Sequence, residues 1–356
     1  MSKRLLCINP GSTSTRIAVF CDDQKEFITN VKHSNELLET FDGVQNQLDF
    51  RYGLIKEELD KAGIDTAKID AVVGLGGALR TVEGGVYSIN EAMLTDCSTS
   101  KYAEHPCNLG CQLAQKFALP NNLPSFVVDP PLVDEFDELA RMSGLPPISR
   151  RSAFHALNEK AIAKFIADKL GQRLTDINIV TAHLGSGISV TAHKRGRCVD
   201  NNYGSGGDGP FSPERCGRLP ALSLIETLAA DEQTSAADWK KSFSKKSGVV
   251  SYTGINDMME MERRMHDGDE LARDIYDGMA HYIAREIAAY CTILDWDVAA
   301  IGITGAIANS NYMYSAIERR LSFICPVLHY PGEFEMEALA AGGIRALDGI
   351  EAVKEY

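Results

Sequence analysis

Short apolar blocks separated by turn-forming residues run through the chain. Leu5-Leu6-Cys7-Ile8 and Ile17-Ala18-Val19-Phe20 flank Asn9-Pro10-Gly11-Ser12-Thr13-Ser14-Thr15, a pattern that predicts strand, turn, strand. The arrangement returns in the second half, where Ile177-Asn-Ile-Val180-Thr-Ala leads through His183-Leu-Gly185-Ser186-Gly187 to Ile188-Ser-Val190-Thr-Ala. Two hairpins of one kind, with glycine and hydroxyl residues in the turn, predict a duplicated domain. A third glycine-centred turn, Thr304-Gly305-Ala306-Ile307, follows the apolar run Val298–Ile303. Helical spacing fills the intervals. Residues 152–170 place Phe154, Leu157, Ala161, Phe165 and Leu170 on one face, with Lys160, Lys164 and Asp168 pointing outward. Residues 270–294 carry Leu271, Ile275, Met279, Ile283, Ile287 and Cys291 at steps of four, as expected of an amphipathic helix on a sheet. A closing helix begins at Glu335, after Pro331-Gly332. Strands alternating with helices make this an α/β protein.

Length turns that pattern into two domains, because 356 residues exceed what one core usually supports. The formal net charge of −13 argues against a general nucleic-acid or membrane-surface binder, either of which needs a basic face. It leaves room for a nucleotide, since local amides and a bound cation outweigh the global field. No apolar stretch approaches the roughly 20 residues of a membrane helix, and the start of the chain lacks the apolar run of an export signal. Nine scattered cysteines without a Cys-x-x-Cys pair read as free thiols, so a cytoplasmic location is expected. His105, Cys107 and Cys111 lack a further ligand at metal-site spacing and read as a loop entering a helix.

The glycine and hydroxyl turns carry the chemistry. Such a turn offers N–H and O–H donors without side-chain bulk, which a phosphate group requires for close approach. No Gly-Lys-Ser/Thr ending makes either a Walker loop, and no Gly-x-Gly-x-x-Gly follows the first strand, which excludes a nicotinamide dehydrogenase. Two such turns facing across a cleft would hold a polyphosphate from both sides.

Asn9-Pro-Gly-Ser-Thr-Ser-Thr15, Val127-Val128-Asp129-Pro130, Arg150-Arg151-Ser-Ala-Phe154-His155-Ala-Leu-Asn158, His183-Leu-Gly185, Gly209-Pro-Phe-Ser-Pro-Glu-Arg215 and Tyr330-Pro-Gly-Glu333-Phe-Glu335-Met-Glu337-Ala together resemble the butyrate kinases. These belong to the acetate kinase group of the actin, sugar-kinase and heat-shock chaperone superfamily. The resemblance implies two duplicated actin-like (ribonuclease H-like) domains flanking a nucleotide cleft. Residues 1–150 with 335–356 would form an N-terminal acyl-kinase domain, and 151–334 a C-terminal nucleotide-binding domain. It implies reversible transfer of the γ-phosphoryl group of ATP, with Mg2+, to a short-chain carboxylic acid, butyrate foremost, giving an acyl phosphate.

Residue by residue, the resemblance puts Arg215 and His183 on the transferring phosphoryl group, assisted by His155. Asn9, Ser12, Ser14 and Arg16 match the first phosphate hairpin; Gly185, Ser186 and Gly187 match the second. Thr304, Gly305 and Ala306 match the nucleotide turn. Asp129 and Glu335 would hold the magnesium, with Glu333 and Glu337 as alternatives to Glu335 in register. Arg80, followed by Gly84-Gly85, would meet the acid's carboxylate. Four departures stand out: Leu75 where the family carries an arginine, Ser186 and Ala306 where it carries glycine, and Arg16 where lysine is frequent. Leu75, Ser186 and Ala306 keep a second reading open, a catalytically weakened member serving as a nucleotide-dependent regulatory or interaction protein. Dimers are common in the group, so a homodimer is expected.

Overall fold

The computed structural model describes residues 2–231 and 233–356. The chain divides into two compact units, Met1–Val133 with Phe334–Tyr356, and Asp134–Glu333.

In the first unit, β1 (Arg4–Pro10), β2 (Ser14–Cys21) and β3 (Gln24–Lys32) form an antiparallel meander. β4 (Ala71–Gly74) and β6 (Ser125–Val128) extend it in parallel from β1, and β5 (Val86–Ser88) closes the far edge, giving the order β3-β2-β1-β4-β6-β5. Leu6, Ile8, Ile17 and Val19 face helices Leu48–Lys61 and Leu109–Ala118 and pack with Ile55, Leu59, Leu113 and Phe117. Helix Glu335–Leu347 also packs against β1, β4 and β6. A Cβ on its Gly343 would stand 2.4 Å from a Leu5 methyl, so helix and sheet meet at a distance that a larger residue would prevent.

The second unit repeats the plan. β7 (Asn178–Leu184), β8 (Ile188–Lys194) and β9 (Arg197–Asn201) form the meander, and β10 (Ala300–Gly305) and β11 (Val327–Pro331) continue in parallel from β7. The order is β9-β8-β7-β10-β11. Meander first and parallel strands afterwards, in both sheets, is the duplication predicted from the two hairpins. Helix Ala156–Leu170 packs on β7 and β10, while Glu270–Ile293 and Asn311–Leu321 join Val180, Val190 and Ile303 in the larger core. Among the described residues, no helix is long and apolar enough to cross a membrane.

Several expectations shift. Passage into the second unit occurs after Val133, ahead of the expected boundary at 150. Polar ties explain it: Arg150 bonds Asp200 and the Asn201 carbonyl, and the Asp137 amide donates to the Val199 carbonyl. The helix expected from residue 152 begins at Ala156, with His155 at its N-cap position. Lys160, expected outward, is buried and donates to both oxygens of Glu135 at 3.1 and 3.0 Å, the pairing that a buried ammonium demands. Leu271 lies at the exposed end of its helix, whereas Ile275, Met279, Ile283, Ile287 and Cys291 are buried as the spacing implies. All nine cysteines are free thiols.

Candidate active site

The first hairpin turns at Gly11–Thr13, closed by the Gly11 amide donating to the Ser14 carbonyl at 2.8 Å. Its carbonyls are fully engaged from beneath. The guanidinium of Arg51, itself wholly buried, donates to the carbonyls of Gly11 (2.8 Å), Ser12 (3.2 Å) and Ser14 (3.3 Å), and to the Thr15 hydroxyl and the Gln47 side chain. The His33 amide takes the Thr13 carbonyl at 2.8 Å. With its carbonyls turned inward, the turn presents Ser12 and Thr13, both exposed, on its outer side. Burial lowers the Arg51 pKa to about 10, still far above neutrality, so a fixed positive charge sits under the turn. Nothing in helical spacing marks Arg51; its role depends on contacts with residues some 40 positions earlier in the chain.

Asn9 and Arg16 are cross-strand partners at the mouth of this hairpin, and the Asn9 amide donates to Glu335. Glu337 instead pairs with Lys25 at 3.1 Å, and Glu333 belongs to the second unit. Glu335 is thus tied to the hairpin strand through Asn9. Asp129, at the end of β6, is buried and adopts φ +39°; its carboxylate accepts the Gly85 amide at 2.8 Å. Arg80 is exposed, its guanidinium carbon 4.5 Å above the ring of Tyr356, whose hydroxyl also accepts the Arg80 amide at 3.0 Å. Leu75 is held by its backbone: its amide donates to the Ile8 carbonyl, and a Cβ on Gly110 would stand 1.8 Å from its own carbonyl oxygen.

The second hairpin gathers most of the remaining residues. The imidazoles of His155 and His183 stack with centroids 3.8 Å apart and planes 18° from parallel. His183, pointing inward from β7, bonds Asn158 at 3.2 Å through Nδ1, and its Nε2 lies 3.0 Å from where a Cβ on Gly185 would be. A Cβ on Gly187 would fall 2.1 Å from a terminal nitrogen of Arg215, so the guanidinium occupies the space that this glycine leaves. Burial pushes the His155 pKa down to about 4, with Arg215 adding to the effect. Burial, and then His155, holds His183 well below the ordinary histidine value. Two neutral rings and one guanidinium thus converge on the Gly185–Gly187 turn. His155 Nδ1 meets the Ser189 hydroxyl at 2.7 Å, the first link of a buried polar chain through Glu159.

Gly305 ends β10 at φ +94°, and a Cβ there would collide with the Leu184 backbone at 2.4 Å. Thr304 is buried with its hydroxyl on the Gly332 carbonyl at 3.1 Å. Ala306 follows, and together with Gly185 and Ser186 it lines a cavity of about 680 Å³. Other walls come from Asn256, Asp257, Met258 and Tyr276, residues that the sequence reading did not single out. Asp257 had a local signal, as the N-cap of helix Met258–His266. Ser186 is exposed at the tip of its turn and Ala306 lies on the cavity wall, so neither departure from glycine closes the space.

Two units of like strand order, and a cationic, histidine-lined turn opening on a cavity of nucleoside size, fit a phosphotransferase. The model of the acetokinase family matches residues 147–325, and the chain belongs to that family. It is a kinase that uses ATP and takes a carboxyl group as acceptor. A probable butyrate kinase from Listeria monocytogenes serovar 1/2a is 44% identical over 356 residues, all of both chains. Among solved structures, the acetate kinase of Porphyromonas gingivalis superposes with a TM-score of 0.76 at 18% identity, covering 97% of this chain and 100% of that one. A propionate kinase from Francisella tularensis gives 0.72 at 19% identity, covering 96% and 98%. At such identities these two show the fold alone.

Proposed function

We propose that the protein phosphorylates butyrate, or a close short-chain relative, at its carboxylate using ATP, reversibly, to give the acyl phosphate. The observation that carries this reading is the convergence of Arg215, His183 and His155 on the Gly185–Gly187 turn beside the 680 Å³ cavity. The nucleoside occupies that cavity, with Gly185, Ser186, Gly187, Thr304, Gly305 and Ala306 against the phosphates. Asn9, Ser12, Ser14 and Arg16 are assigned to phosphate, and Arg80 to the acid's carboxylate. Phosphoryl transfer spreads negative charge over the equatorial oxygens, so the protein positions the reactants and neutralises that charge. Arg215 does so with a charged, forked donor and His183 with an imidazole; each such donor is worth about 10²–10³ in rate.

Asp129 and Glu335 fit magnesium, which prefers one or two hard carboxylates completed by phosphate oxygens and water. Both lie in the first unit, Glu335 beside Asn9 of the phosphate hairpin. Held by these two carboxylates, the ion would supply positive charge that offsets the charge of the phosphates. The homodimer is supported by helix Ala221–Ala230, none of whose residues is buried and which exposes Leu222 and Ile225 at 76% and 61%.

Hydroxylamine trapping tests the reading. Incubation with ATP, magnesium, hydroxylamine and acids of two to six carbons should yield hydroxamate, with the highest kcat/KM at four carbons. One methylene more or less should lower it about 10-fold or more. ATP binding without hydroxamate from any of the acids would overturn the reading in favour of a nucleotide-dependent regulatory protein.

A further inference from the structure

Behind the stacked histidines runs a continuous polar chain that the transfer chemistry above leaves unused. Glu159, wholly buried in helix Ala156–Leu170, accepts a hydrogen bond from the Ser189 hydroxyl on one carboxyl oxygen. Its other oxygen accepts from the Thr181 hydroxyl at 2.7 Å. Ser189 in turn meets His155 Nδ1 at 2.7 Å; Thr181 meets His193 Nε2 at 2.8 Å, and His193 Nδ1 meets the Cys198 thiol at 3.4 Å. The His155 amide also donates to Glu159 at 3.2 Å, tying the carboxyl to the N-cap position that aims the imidazole.

A hydroxyl has one proton, and that fixes the direction of each link. When Glu159 is ionised, Ser189 donates to it and must accept from His155 Nδ1–H. When Glu159 is protonated on the oxygen that faces Ser189, its O–H donates to Ser189, and the Ser189 proton turns to His155 Nδ1, which leaves the ring N–H on Nε2. We infer that Glu159 is a positioning residue for His155: through Ser189 it sets the tautomer of the imidazole and hands it a proton when the anionic phosphoryl group arrives. The step balances. Glu159 gives its proton to Ser189 Oγ, the original Ser189 hydroxyl proton passes to His155 Nδ1, and the products are a carboxylate and an imidazolium that keeps its Nε2–H for a phosphoryl oxygen.

Burial raises the Glu159 pKa to about 7, so the carboxyl holds a transferable proton near neutrality, while His155 is kept neutral in the free protein. The other charged and titratable groups around the chain are His183 and Arg215 at the His155 end, and His193 and Cys198 at the far end. The Lys160–Glu135 pair lies beyond these and reaches the chain through the Cys198 amide, which donates to Glu135 at 2.7 Å. The inference rests on His155 acting at the phosphoryl group, as proposed above.

Nitrogen-15 imidazole NMR and kinetics on Glu159→Gln and Ser189→Ala test it. In the nucleotide-free wild type, the His155 N–H should move from Nε2 to Nδ1 as the pH rises through about 7. In both variants the tautomer should not change with pH. With wild-type hydroxamate formation established, Glu159→Gln should lower kcat about 10- to 100-fold, leave KM for ATP and acid within about twofold, and remove the limb of the kcat–pH profile near 7. Should Glu159→Gln fail to fold, Ser189→Ala, which breaks the same link without a new polar group, carries both readouts. A His155 tautomer that ignores pH in the wild type, or a variant kcat–pH profile like that of the wild type, would overturn the inference. Absence of hydroxamate with a pH-dependent tautomer would instead overturn the proposed activity and leave the Glu159–His155 coupling standing.

Discussion

Arg51 shows how one buried side chain can organise a surface turn from beneath. Its partners are carbonyls, a hydroxyl and a side-chain amide of its own unit, so its charge is balanced by dipoles. Those dipoles belong to the Gly11–Ser14 turn, and holding them inward leaves its outer side to the exposed Ser12 and Thr13. Arg51→Met would leave several buried acceptors unsatisfied, each at a cost of about 1–3 kcal/mol. The expected result is a melting temperature lower by several degrees and a Kd for ADP raised at least tenfold, measured by thermal unfolding and calorimetric titration. Arg51→Lys, retaining charge without the fork, should fall between the two. An unchanged ADP affinity in a folded Arg51→Met protein would show that the turn needs no such anchor.

At the scale of elements, the Gly185–Gly187 and Thr304–Ala306 turns stand on strand ends whose spacing is set by backbone contact. Gly305 brings the end of β10 against Leu184 at the end of β7, which places the Thr304–Ala306 turn beside Gly185–Gly187. A methyl group at Gly305 meets backbone atoms at 2.4 Å in a left-handed conformation, so the strands must part. Gly332 offers an internal comparison: φ is +101°, yet nothing lies within 4 Å of an added Cβ. Gly332→Ala should cost only the conformational strain, about 1–3 kcal/mol, whereas Gly305→Ala should cost more and also abolish ATP binding. Urea unfolding of the two variants checks this, and equal losses with ATP binding retained would show that the close approach does not matter.

Across the whole molecule, two sheets of like order rest on different amounts of helix, and the second unit carries an additional helical segment with apolar residues on its surface. The Leu222 and Ile225 patch is the strongest candidate for contact with a second copy. Light scattering behind size-exclusion chromatography should give a dimer for the wild type and a monomer for Leu222→Asp with Ile225→Asp. A wild-type monomer, or an unaffected dimer in the double variant, would remove the proposal for this helix.

Local pattern alone determined a great deal: the two hairpins, the third glycine turn, the helix at 270–294 and the closing helix all follow from apolar spacing and turn residues close together in sequence. The roles expected of His183, Arg215 and Asp129 came from the resemblance of their motifs to a family and not from local spacing. What only the tertiary structure decided were the long-range partnerships. Lys160 read as a solvated lysine until Glu135 supplied its counter-charge, and His155, within the helix expected from residue 152, stands instead at the N-cap position of a helix that begins at Ala156. Arg51 and Glu159 carry no signal in the local sequence pattern. Their significance arises because a buried charge must find partners, and those partners come from turns and strands distant in the chain.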